Sequence, residues 1–336
     1  MKSVLMTGAA GFIGHAISMR LLERGDAVLG VDNLNHSYDI HLKQARLERL
    51  TRMPRFQFSQ VDISDRQKVP ALFKSFRPEI TVNLAAQGGV RRSAVDPNLF
   101  LDSNLQGFLN ILEGSRGAEV KHFVYASSGA VYGANRKLPF STSDPVDHPL
   151  SLYAATKRAN ELIAHSYSHL YRIPTTGLRL FTVYGPWGRP DMAVFQFTRA
   201  IFDEMPIDLF NDGKHRRDFI YIDDIVEGFI RAIDRPATPD MAWDSKVPAA
   251  DSSDAPYRIY NLGNNAPVWL EEVIRCLEAA IGKKATVRLA AGQAGDVLES
   301  HADMSCFQNV FGFSPRTSIQ QGLSQFVSWY RDYFKR

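Results

Sequence analysis

Short apolar runs alternate with longer stretches of helical period through the first half of the chain. The runs Ser3 to Met6, Ala27 to Val31, Phe56 to Val61, Ile80 to Ala85, His122 to Ala126 and Thr176 to Leu180 have the length and content of buried strands. Between them, apolar positions recur every three to four residues over Phe12 to Glu23, Leu99 to Gly114 and Leu152 to Tyr171, which predicts helices. Strands that are apolar on both faces must be covered on both faces, so the pattern predicts an α/β fold with a doubly wound parallel sheet. Beyond about Thr182 the alternation turns irregular, broken by Gly-Pro-Trp-Gly-Arg-Pro at 185–190, and a smaller lobe is expected to begin there. The stretch 235–256, rich in Pro, Asp, Ser and Ala, reads as a surface loop insertion or partly mobile spacer.

Composition narrows the partners. The 336 residues, 45% hydrophobic and 22% charged, are enough for a large core. The 39 basic and 36 acidic residues are spread along the chain, so no basic block points to nucleic acid. Cys276 and Cys306 are the two cysteines, too few for a disulfide framework or a metal cluster. His165 and His169 have helical spacing but lack an acidic neighbour of the metalloprotease kind, and they read as surface histidines with no metal expected. With no membrane-length apolar run and no signal-peptide pattern, the protein is expected to be cytoplasmic.

Candidate chemistry begins at Gly8-Ala9-Ala10-Gly11-Phe12-Ile13-Gly14, which follows the first strand and opens the first helix. Without Cβ atoms such a loop turns tightly and lets pyrophosphate approach backbone amides at the positive helix end. The second strand ends in Asp32, placed to accept hydrogen bonds from ribose hydroxyls and to repel a ribose phosphate, which favours NAD over NADP. Asp62 and Ile63 are expected to end the third strand near the adenine, and Leu84, Ala85, Ala86 and Gln87 to end the fourth against the dinucleotide. Tyr153 and Lys157 stand four apart on one helix face, and Ser128 closes the fifth strand, where strand carboxyl ends converge on the ligand crevice. A phenol titrating near ~10 is a weak base at neutral pH until an adjacent ammonium and a positive nicotinamide ring stabilise its phenolate. The three side chains suit oxidation of a secondary alcohol, with Tyr153 taking the hydroxyl proton.

The chain resembles the extended short-chain dehydrogenase/reductase superfamily and, within its NAD-dependent epimerase/dehydratase family, bacterial UDP-glucuronate 4-epimerases. The resemblance is carried by GAAGFIG (8–14), VDNLN (31–35), LAAQGGVR (84–91), DSNLQGFLNILEG (102–114), YASSGAVYGANRKLPF (125–140), DHPLSLYAATKRANEL (147–162), LFTVYGPWGRPDMA (180–193), RRDFIYIDDIVEG (216–228) and YNLGN (260–264). It implies a Rossmann-like NAD-binding domain over 1–181 and a UDP-sugar-binding lobe over 182–336, with some chain crossing back. Ser128, Tyr153 and Lys157 would be catalytic. The cofactor contacts would be Gly8, Gly11, Phe12, Ile13, Gly14, Asp32, Asn33, Asp62, Ile63, Leu84, Ala85, Ala86, Gln87, Asn104, Ser127, Tyr153 and Lys157. The UDP-sugar contacts would be Arg91, Ser127, Ser128, Thr182, Arg189, Asp208, Phe210, Arg217 and Asp296. Arg217 matches a diphosphate-gripping arginine, Asp208 and Phe210 a uridine-holding strand, and Asp296 a ribose contact. Thr182 and Arg189, together with Ser127, would hold or support a carboxylate site; Arg189 alternatively braces its loop. A homodimer pairing the 99–114 and 152–171 helices is also implied.

The implied reaction is interconversion of UDP-glucuronate and UDP-galacturonate through a transient 4-keto sugar. Related dehydratases use an Asp-Glu pair, and decarboxylases a Glu, just before Val-Tyr-Gly; here those positions are Gly129 and Ala130, where the family commonly has serines. Gly88 and Arg92 replace the usual Ala and Tyr, and Ala294 a usual proline. The alternatives are a 4-epimerase of UDP-glucose or UDP-N-acetylglucosamine, a UDP-glucuronate decarboxylase, and a dinucleotide-sensing regulator, which typically dispenses with the Tyr-Lys pair.

Overall fold

The structure is a computed structural model and describes residues 1–292 and 297–336. Its strands are β1 (Ser3–Thr7), β2 (Ala27–Asp32), β3 (Phe56–Gln60), β4 (Ile80–Asn83), β5 (His122–Ser128), β6 (Thr175–Leu180), β7 (Thr182–Tyr184), β8 (Ile207–Phe210), β9 (Arg216–Arg217), β10 (Phe219–Tyr221), β11 (Tyr257–Leu262), β12 (Val268–Trp269) and β13 (Val287–Ala290). Seven of them form one all-parallel sheet in the order β3-β2-β1-β4-β5-β6-β11. Strand succession reverses between β1 and β4, and at such a switch point the crossovers diverge to opposite faces and leave a crevice above the strand carboxyl ends.

Period-two alternation distributes each strand between two cores. Val4, Met6 and Val28 join one cluster, while Leu5, Leu29 and Val31 join the other with Phe108, Ile111 and Ala164. The first cluster continues into the C-terminal half, where Phe326 and Tyr330 of the Ile319–Phe334 helix pack on Phe195. Among the described residues, two-stranded pairs β7 with β10, β9 with β12 and β8 with β13 make up the remaining sheet structure there. Residues 235–256 contain no helix or strand, yet Ser253 and Ala255 are buried and Asp251 accepts from Thr142. Among the described residues no helix is long and apolar enough to cross a membrane.

The helices Phe12–Glu23 and Leu152–Tyr171 occupy the expected spans. Ser151 starts the second by accepting from the Ala154 amide at 3.1 Å, which sets the phase of Tyr153 and Lys157. The continuous helix expected over Leu99 to Gly114 is instead three pieces: Pro97–Leu101, a π turn at Asp102–Gly107, and Phe108–Gly117. In this stretch Asn104 meets the backbone of Gln87, accepting from its N–H at 2.7 Å and donating to its carbonyl at 3.1 Å. Gly107 fits because a Cβ there would stand 2.6 Å from the Ile63 side chain. β3 and β4 end at Gln60 and Asn83, so Asp62, Ile63 and Leu84 to Gln87 lie in the loops past the strands rather than closing them.

Candidate active site

The carboxyl ends of the sheet frame a cavity of about 560 Å³. Gly8, Gly11, Phe12, Ile13 and Gly14 form one wall. Gly8 takes φ +70°, and a Cβ on it would sit 2.9 Å from the Ala85 nitrogen; a Cβ on Gly14 would sit 2.2 Å from the Gly8 carbonyl oxygen. Gly11 begins the Phe12–Glu23 helix without a capping side chain, so the turn brings bare backbone and the positive helix end to the cavity. These features fit a dinucleotide pyrophosphate. Asp32 lies on the same wall, buried, and accepts from the amides of Ala10 at 3.2 Å and Leu34 at 2.9 Å. Asn33 also lines the wall and donates to Asp62 at 2.7 Å; hydrogen bonds from Ser64 and Asn33 outweigh burial and hold the Asp62 carboxyl below its usual range. Ile63, Leu84, Ala85, Ala86 and Gln87 complete this side.

Ser128, Tyr153 and Lys157 line the same cavity, with Tyr153 hydrogen-bonded to Ser128. Burial pushes the Tyr153 phenol up, while its hydrogen bond with Ser128 and the nearby Arg189 guanidinium act the other way. Burial brings the Lys157 ammonium down to about 8, opposed by Glu161, and its Nζ donates to the Ala126 carbonyl at 2.9 Å. Ser128 Oγ accepts from the Ala130 amide at 3.1 Å, so its own proton is directed to the Tyr153 oxygen. The arrangement can pass a proton between a bound hydroxyl and the phenol beside a nearby cation.

Thr182, Arg189 and Arg217 also line the cavity. Arg189 pairs with Asp191, Nε to Oδ1 at 3.0 Å and Nη2 to Oδ2 at 2.6 Å, and its Nη1 occupies the space a Gly88 Cβ would take, 2.7 Å away. Arg217 Nη1 donates to the Leu298 carbonyl at 2.8 Å. Five expected contacts stand elsewhere, the first being Asp62, whose carboxylate accepts from Asn33 and Ser64 and does not line the cavity. Asn104 is buried beneath Gln87 and does not line the cavity, because both ends of its amide are engaged by the Gln87 backbone. Arg91 lies over the Phe210 ring at 4.8 Å, and neither lines the cavity. Asp208 is exposed and ion-paired with Arg288 at 2.9 Å, since alternation along β8 turns it away from the buried Ile207 and Leu209. Asp296 and Ala294 lie outside the described residues.

Residues not anticipated from the sequence also shape the cavity. Lys43 lines it and donates to Asn35 at 2.8 Å, with burial drawing its ammonium below the usual range. Arg46, fully buried, donates to the carbonyls of Ala10 at 3.2 Å and Gly188 at 3.1 Å and to the Tyr38 hydroxyl at 2.7 Å, so it ties the glycine loop to the loop bearing Arg189. The signal for it was present: Leu42, Arg46 and Leu50 share one helix stripe, and a guanidinium among buried leucines needs internal acceptors.

Comparison with known proteins agrees with this geometry. The chain is 49% identical over 333 residues to Protein CapI of Staphylococcus aureus, covering 99% of each. It is 44% identical over 339 residues to UDP-glucuronate 4-epimerase 2 of Arabidopsis thaliana, covering 99% of this chain and 77% of the relative. Its fold matches that of UDP-glucuronic acid 4-epimerase from Bacillus cereus, solved in complex with UDP-glucuronic acid and NAD, at a TM-score of 0.87 and 29% identity over 98% of this chain and 99% of that one. Residues 4–247, which span the glycine loop, the Ser128, Tyr153 and Lys157 cluster and Arg217, match the NAD dependent epimerase/dehydratase family, and the chain belongs to that family.

Proposed function

We propose that the protein is an NAD-dependent 4-epimerase of UDP-hexuronic acids that interconverts UDP-glucuronate and UDP-galacturonate. The observation that carries this reading is one cavity lined by both the glycine loop and Ser128, Tyr153 and Lys157, together with Thr182 and Arg189. The similarity to enzymes named for this substrate supports it. The glycine loop would hold the cofactor's pyrophosphate, Asp32 and Asn33 its ribose, and Ile63 its adenine, with Asp62 fixing Asn33 from behind. NAD supplies acceptance of hydride from C4 of the sugar and its return. Tyr153 takes the C4 hydroxyl proton and gives it back, Ser128 shares that proton, and Lys157 stabilises the phenolate. Because Arg91, Phe210 and Asp208 stand off the cavity, the diphosphate is assigned to Arg217.

Arg189 and Thr182 would meet the sugar carboxylate, since charge-assisted hydrogen bonds are roughly twice as strong as neutral ones. Gly129 and Ala130 carry no acid or base. The 4-keto sugar is therefore reduced rather than dehydrated or otherwise diverted. We also read the protein as cytoplasmic and as a homodimer; exposed Leu101, Leu162, Leu170 and Tyr171 on the 97–101 and 152–171 helices support the pairing. Incubation with UDP-glucuronate followed by NMR tests the function: UDP-galacturonate should accumulate. UDP-xylose as the main product would overturn it, and turnover of UDP-glucose alone would promote the neutral-sugar alternative.

A further inference from the structure

Glu161 lies one turn beyond Lys157 on the same helix and has no role in the reaction described above. Its carboxylate is fully buried and forms a two-point pair with the fully buried Arg179, Nε to Oε1 at 2.9 Å and Nη2 to Oε2 at 3.0 Å. Arg179 stands beside Ser127 because β5 and β6 pair these two residues in parallel register. Ser127 Oγ lies 2.6 Å from Glu161 Oε1, and Arg158 Nη1 donates to Oε2 at 3.1 Å. Arg179 further donates to the Tyr132 hydroxyl at 3.1 Å and the Thr142 carbonyl at 3.3 Å. The charged groups facing Glu161 are thus Arg158 and Lys157 from its own helix and Arg179 from β6, all cationic, and the Tyr257 hydroxyl donates to its backbone carbonyl at 3.1 Å.

A carboxylate between two guanidinium groups is ionised and has no proton to give. The Ser127 hydroxyl must therefore be the donor in its bond to Glu161. A hydroxyl has one proton and two lone pairs, so the Ser127 proton is committed to Glu161. Ser127 nevertheless lines the cavity. Ser128 differs: its oxygen accepts from the Ala130 amide and its proton goes to the Tyr153 oxygen, within the reacting cluster.

We propose that Glu161, locked by Arg179, is a positioning residue that makes Ser127 a hydrogen-bond acceptor only toward whatever occupies the cavity. The adjacent serines then have opposite polarity. Ser127 recognises a donor, a hydroxyl of the sugar or of the cofactor ribose, and cannot serve a carboxylate, which reverses the expectation that it joins Thr182 and Arg189. The inference rests on the cavity being an NAD and UDP-sugar site, as proposed above.

The test is a coupling cycle between Ser127→Ala and the double variant Glu161→Met with Arg179→Met, which removes both buried charges together because such pairs are often replaced by apolar residues without loss of fold. Glu161→Gln is the second variant should the methionine pair fail to fold. Affinities for NAD and for UDP-glucuronate are measured separately by calorimetry, with thermal unfolding alongside. Ser127→Ala should lower the melting temperature by a few degrees, for the hydrogen bond lost to buried Glu161, and weaken one of the two ligands about five- to tenfold, the size of a single neutral hydrogen bond. Which ligand weakens says whether the donor belongs to the sugar or the cofactor. In the double variant carrying Glu161→Met and Arg179→Met, that ligand should already be weakened, and adding Ser127→Ala should cost nothing further. Unchanged affinity for both ligands in Ser127→Ala, or an undiminished effect of Ser127→Ala without Glu161, overturns the proposal. The binding arms are read whether or not UDP-glucuronate is turned over, so failure of the functional reading is scored separately.

Discussion

Gly14→Ala should abolish tight cofactor binding while leaving a folded protein. An added Cβ would lie 2.2 Å from the Gly8 carbonyl oxygen, 2.8 Å from the Gly8 carbonyl carbon and 3.2 Å from the Ala9 Cα. Ordinary contacts of this kind begin near ~3.4 Å, so the helix start and the loop must separate by roughly 1 Å, and all three obstructing atoms are backbone. Overpacking of this kind costs about 1–3 kcal/mol of stability. The displaced segment includes the Gly11 amide, which donates to Gly8 at 2.9 Å, and the helix end that faces the cavity. Hydrogen bonds to charged groups are each worth about 1.5–3 kcal/mol, so losing even one pyrophosphate contact weakens NAD by roughly 10- to 150-fold. Calorimetric titration with NAD and urea unfolding of the ligand-free protein measure the two effects. Gly117→Ala is the control, because nothing lies within 4 Å of its Cβ position. At the end of the Phe108–Gly117 helix it should leave NAD affinity unchanged and raise stability by up to about 1 kcal/mol. If Gly14→Ala bound NAD like wild type, the close approach of the glycine loop would not be what holds the pyrophosphate.

Tyr153→Phe should keep the fold and UDP-sugar affinity but lower turnover by ~10²–10⁴, read by product NMR; near-normal turnover would remove Tyr153 as the proton acceptor. Asp32→Ser should narrow the preference for NAD over NADP in paired titrations, and an unchanged ratio would refute the role of its carboxylate. Turnover should fall as pH rises through about 8, where Lys157 loses its proton. The same lowered pKa means that the unfolded chain holds more protons than the folded one from about 8 up to about 10.5. Lys157 therefore makes unfolding free energy rise with pH across that window, and Lys157→Met should remove that part of the slope in urea titrations at several pH values. Leu162→Glu with Leu170→Glu should convert a dimer to monomer by light scattering; a wild-type monomer at micromolar concentration would refute the dimer.

Local signals determined what the sequence could show alone. Apolar runs marked the first six strands, and the helices Phe12–Glu23 and Leu152–Tyr171 followed from their period, because each depends on residues within a few turns of one another. The positions of Gly8, Gly14, Asp32, Tyr153 and Lys157 were legible for the same reason: each sits at a fixed offset from a strand end or on one helix face. Long-range packing decided the rest. The joining of β11 to β6 depends on a strand about eighty residues further along the chain, which no local pattern ties to that edge. The π turn at Asp102–Gly107 leaves the apolar pattern intact and is anchored by Asn104, whose partners Gln87 and Thr156 come from other segments. Asp208 reads like a ligand in its motif, but its β8 position turns it to Arg288. The buried charges of Glu161, Arg179 and Arg46 were the least legible, since a charged residue in a sequence reads as surface until its partners are known. Their desolvation is offset only where the sheet register sets Arg179 beside Ser127, and where Tyr38 and the carbonyls of Ala10 and Gly188 surround Arg46.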